Sequence, residues 1–118
     1  MTAAFDLLER RWRTLTLALA ALVTALSLIP KAQMPGAAQS YDKIEHLLAY
    51  AAIALPAAYA RPRGWPWVLV AILGWSAAIE FLQPLVNRAT HLSDLLANLL
   101  GVALGVALAY LLRRLRPA

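Results

Sequence analysis

At 118 residues the chain has room for a single domain. Its hydrophobic fraction is 62 %, above the roughly 45–50 % of soluble domains, and 14 % of its residues are charged, which points away from a soluble core and towards a polytopic membrane protein. The net charge of +5 sits at the ends of apolar runs and does not outline a nucleic-acid face, and the lack of cysteine excludes disulfides and thiolate metal sites.

Residues 1–13 (MTAAFDLLERRWR) read as a short helical lead-in, with Trp12, Arg10, Arg11 and Arg13 suited to a headgroup region. Thr14–Ile29 is the first span; without a small-x-small cleavage site before Pro30 it reads as a retained helix, with a scaffold role because it holds no ionisable residue. Lys31–Tyr41 carries Pro, Gly, Gln and Ser and reads as a loop. The second span covers 42–60. Asp42 is placed to cap it with Glu45 three residues on, and Pro56 is placed to bend it. Arg61–Gly64 is a tight basic turn, and Pro66 fits the first turn of a third span over 65–85. The fourth span covers 92–112 and is followed by Arg113, Arg114 and Arg116. These features predict an all-α membrane protein, a four-transmembrane-helix bundle within one domain over 1–118.

Orientation follows from the basic residues. With the N-terminus inside, eight of them (Arg10, Arg11, Arg13, Arg61, Arg63, Arg113, Arg114 and Arg116) fall on the cytoplasmic side. Only Lys31, Lys43 and Arg88 fall outside. The positive-inside bias therefore predicts that both termini are cytoplasmic.

That orientation collects the polar residues. Asp42, Lys43, His46 and Tyr50 occupy an arc of roughly 100° on the second helix. Ser76, Glu80, Gln83 and Asn87 share a face of the third, and His91, Asp94 and Asn98 one of the fourth. Gly101 and Gly105 continue that last face as a GxxxG, which lets another backbone come close. All three stripes lie in the outer halves of their helices, on either side of a break from Pro84 to Leu92, and are expected to converge on one outward-facing pocket.

Glu80 and Asp94 are costly inside an apolar span and need a partner or a function. Pairing with Lys43, His46 or Arg88 would lock the helices together; alternatively Asp94 lies near the surface as a helix cap. His46 suits proton transfer near neutrality if a carboxylate fixes its tautomer, so His46, Glu80 and Asp94 are the candidates should there be catalysis. A metal site on His46 with Asp42, Glu80 or Asp94 lacks a compact ligand motif, and no metal or other cofactor is expected. Gln83 and Asn98 read as interhelical hydrogen-bonding groups, and Tyr50 as a packing residue or a donor into the pocket. Lys43 and Arg88, beside the acids, are the residues that would hold an anionic lipid headgroup, unless they only neutralise Asp42 and Asp94.

Three stretches resemble one family. DKIEHLLAY (Asp42 to Tyr50), IEFLQPLVNR (Ile79 to Arg88) and SDLLANLLGVALG (Ser93 to Gly105) are similar, in order and spacing, to the VanZ-like family of small membrane proteins. Asp42, Lys43, His46, Glu80, Gln83, Arg88, Asp94, Asn98 and Gly101 fall on its pattern over about residues 41–112, whereas Thr90 and His91 stand where relatives often show an aromatic followed by Ser or an acid. The resemblance implies a multi-pass protein of the bacterial cytoplasmic membrane, in a family linked to resistance to the glycopeptide teicoplanin. The expected partners are membrane lipids, including an anionic headgroup, a lipid-linked precursor or a glycopeptide-related ligand at the outer leaflet, and no nucleic acid. Two other functions stay open: acid–base or metal-assisted chemistry on a lipid-linked phosphate or sugar, and a structural role in membrane assembly.

Overall fold

The computed structural model describes residues 2–27, 42–82 and 92–115. Gln83, Arg88 and His91 lie outside them. Asp42, Lys43 and Asp94 fall on helical backbone, but their side chains are likewise outside the described set. The described chain is all α-helix and turn, in five helices: α1 Thr2–Arg10, α2 Trp12–Ser27, α3 Asp42–Ala60, α4 Trp65–Leu82 and α5 Leu92–Leu115.

α3 is the axis of the fold. Between Tyr50 and Tyr59 only Ala52 and Leu55 escape full burial, because α2, α4 and α5 surround the helix and α1 covers its last turns. A helix that is apolar on every face belongs inside a bundle, and the alanines of α3 keep its cylinder narrow enough to be packed from several sides. The core at its middle joins Tyr50, Ile53 and Ala54 to Ile72 of α4 and Val102 of α5. At its Ala60 end, Ala58 and Tyr59 meet Phe5 of α1 and Ala109 of α5.

The closest approach is between α3 and α5. A Cβ built on Gly105 would stand 2.5 Å from the carbonyl oxygen of Ala51, and one on Gly101 would press still harder on the carbonyl of Leu47. No side chain fits there. The small-residue row runs past the GxxxG in both directions, since Ala97, Gly101, Gly105 and Ala109 recur every fourth residue and all are buried. The pairs Leu47 with Gly101 and Ala51 with Gly105 advance together along both helices, so α3 and α5 run parallel, with α4 returning the chain between them.

Turn chemistry fixes the α3–α4 connection. The Arg61 amide donates to the Ala57 carbonyl at 2.9 Å, and Arg61 takes a left-handed φ of 50°, as the residue just past a helix end commonly does. Gly64 follows at φ 77°, and its carbonyl accepts from the Trp67 amide at 3.0 Å to start α4. α3 continues as helix through Pro56. That proline leaves the Ala52 carbonyl without its usual amide, and on the same opened turn the Thr16 hydroxyl of α2 donates to the next carbonyl, Ile53, at 3.0 Å.

Four helices answer to the four apolar runs, with shifted ends: the first begins at Trp12 rather than Thr14, and the last continues to Leu115 rather than 112. The lead-in is helical, but it docks on the bundle. Phe5 stacks on Tyr59 with ring centroids 5.9 Å apart. Two helical stretches, Trp65–Leu82 and Leu95–Leu115, are long and apolar enough to cross a membrane, whereas Trp12–Leu26 and Ile44–Ala60 are apolar but shorter.

Candidate functional site

The site grows from the seam between α3 and α5. His46 lies one turn before Tyr50 on the buried side of α3, and Asn98 lies one turn before the glycine row on α5. Where the two helices approach, His46 Nδ1 and Asn98 Oδ1 are 2.9 Å apart, and both residues are buried. An amide oxygen can only accept, so with Asn98 in this orientation Nδ1 carries the proton of this bond. Asn98 is 1 % exposed, and its Nδ2 finds no acceptor among the described residues.

α4 contributes Glu80, which is 2 % exposed on the helix face that meets α3 and α5. The Tyr50 phenol is buried within electrostatic reach of the Glu80 carboxyl. Of the expected cluster, the described residues therefore gather His46, Tyr50, Glu80 and Asn98. Ser76 is buried too, and its hydroxyl donates to its own helix at the Leu73 carbonyl, 2.7 Å away, which leaves it only as an acceptor. Among the described residues no three of His, Asp and Glu come together as a metal site would require.

A second feature lies outside the polar cluster. α2 and α4 line opposite sides of a cleft of about 640 Å³, with Tyr50 and Ile53 of α3 also on its lining. Its donors are turned inward: Thr16 to Ile53, Thr24 to the Ala20 carbonyl at 2.7 Å, and the Trp75 indole N–H to Thr24 at 2.8 Å. The last bond ties the two walls together. The Thr16, Ala20 and Thr24 spacing was the available signal, and it marks one face of α2. A third feature lies at the opposite end of α3, where the Arg113 guanidinium donates to the Tyr59 carbonyl and covers the Tyr59 ring, 5.6 Å from its centroid.

The outside of the bundle is apolar. Leu17, Trp67, Phe81, Leu100 and Leu115 are each more than half exposed, a display that soluble monomers avoid over large areas. A family model described as VanZ/LLP1 matches residues 5–113. The chain belongs to the VanZ/LLP1 family. Family membership, together with the two helices able to cross a bilayer, identifies a membrane protein. Comparisons with curated proteins and with solved structures find no match.

Proposed function

We propose that this VanZ-like protein crosses the bacterial cytoplasmic membrane four times, as a single domain over 1–118, and binds an anionic envelope-lipid headgroup or a glycopeptide-related ligand at its polar cluster. Both termini and the Arg61–Gly64 turn lie in the cytoplasm, and the cluster opens to the extracytoplasmic side, as the distribution of basic residues favours. One observation carries the reading: His46, Asn98 and Glu80, from three different helices, are buried at one end of a bundle whose outer surface is apolar. Polar groups held at such a depth mark a binding or proton-handling site by default. Lys43, in the first turn of α3, and Arg88, between α4 and α5, bring cations to the same end and hold the anion. Asp94, one turn before Asn98, together with Asp42 and Gln83, completes the rim.

A structural reading has its own support. The His46–Asn98 bond joins α3 to α5 beside the glycine row, where a polar contact also specifies helix register. Native mass spectrometry of protein extracted gently from its membrane, wild type beside Arg88→Ala and Glu80→Gln, separates the two. The ligand reading expects a stoichiometric adduct that both folded variants retain about tenfold less well. No adduct in the wild type, with both variants markedly less stable, leaves the cluster as a packing device.

A further inference from the structure

We propose that the α2–α4 cleft holds a hydrocarbon chain of the same anionic lipid whose headgroup the polar cluster binds, an inference that rests on the headgroup reading. Three features of the cleft support it. First, the polar groups on its walls are engaged within the protein: the Thr16 and Thr24 hydroxyls and the Trp75 indole all donate to protein oxygens. The remaining lining is Ala, Leu, Val and Ile, with Tyr50. Apart from the Tyr50 phenol, an occupant finds hydrocarbon surface along the walls.

Second, the cleft leads to the cluster. Tyr50 lines it and lies one turn from His46 on the same buried face of α3. A ligand occupying both places is apolar along most of its length and charged at one end. The rim residues Leu17, Ala21, Ala25, Ala71 and Trp75 are exposed, so the cleft opens sideways between two apolar helix surfaces and a chain can enter from the bilayer.

Third, the cleft has the size of a small-ligand site. On α2 the cleft extends from Thr16 to Ala25, about 14 Å at the helical rise. The cleft offers about 640 Å³, within the range of small-ligand pockets.

The test uses the full chain in nanodiscs of phosphatidylcholine containing a minor fraction of phosphatidylglycerol with a photoactivatable diazirine on its acyl chain. Parallel discs carry the same chain on phosphatidylcholine. After irradiation, labelled residues are mapped by mass spectrometry. The expected result is labelling of Ala21, Ala25 and Ala71 about tenfold above that of the exposed Leu100 and Leu104 of α5, and only with the anionic probe. Ala71→Phe fills the cleft from an exposed position and abolishes the enrichment, leaving α5 labelling unchanged. Equal labelling of cleft and α5 overturns the proposal in favour of ordinary annular lipid. A cleft shielded from both probes in a chemically cross-linkable dimer overturns it in favour of a second copy. Cleft enrichment that is the same for both headgroups overturns the headgroup reading and leaves the chain site standing.

Discussion

Along α5, nothing larger than glycine fits at 101 and 105, because the backbone of α3 lies directly against it; on another side of α3, α2 and α4 line a cleft of about 640 Å³. Both contacts use small residues. On α5 they lie in a row that meets another helix, so van der Waals contact is continuous and a polar pair can be enclosed beside it. On α2 the alanines lie between side chains that reach α3 and the indole of α4, so their smallness leaves space. The difference teaches that a small-residue row closes an interface only where a partner backbone runs along it.

Gly101→Ala is the strongest way to break the contrast. Its methyl meets a carbonyl on a fixed helix, so α5 must move off α3, at a cost of about 1–3 kcal/mol. Detergent-denaturation midpoints should fall well below wild type, whereas Ala21→Leu, at an exposed position on the open side, should change them little. Next in size is the polar pair. A double-mutant cycle on His46→Leu and Asn98→Leu should give a coupling of about 0.6 kcal/mol, and no more than about 1.7 kcal/mol. A coupling near zero would show that the seam is held by backbone proximity alone.

The smallest effect has the opposite sign. Tyr59 is fully buried at the far end of the seam, and its hydroxyl finds no partner among the described residues. Tyr59→Phe keeps the Phe5 stacking and the Arg113 contact while removing that polar atom, so the denaturation midpoint should rise, by less than about 0.5 kcal/mol in stability. A lower midpoint would mean that the hydroxyl contributes to holding that end together.

Much of the α3–α5 seam was legible in the sequence, since helical spacing alone puts Asn98, Gly101 and Gly105 on one face and His46 with Tyr50 on another. Which of these residues would touch needed the register between two helices, a long-range property. The cleft was hidden because Thr16, Ala20 and Thr24 look like any apolar helix face, and a gap is a contact not made. Phe5 and Leu8 gave a faint signal of docking, outweighed by the arginines around them. Of Lys43, Arg88 and Asp94 the sequence shows charge and position, and their side chains lie outside the described residues.

The parallel pairing of α3 with α5 also has a consequence in time. His46 and Asn98 are 52 residues apart, and the ribosome adds about 5–20 residues each second, so roughly 3–10 s separate their synthesis. Throughout that interval the face of α3 made for α5 has no α5 to meet. Until α5 is made the nascent bundle is an open half, in which the His46 imidazole has no Asn98 to meet.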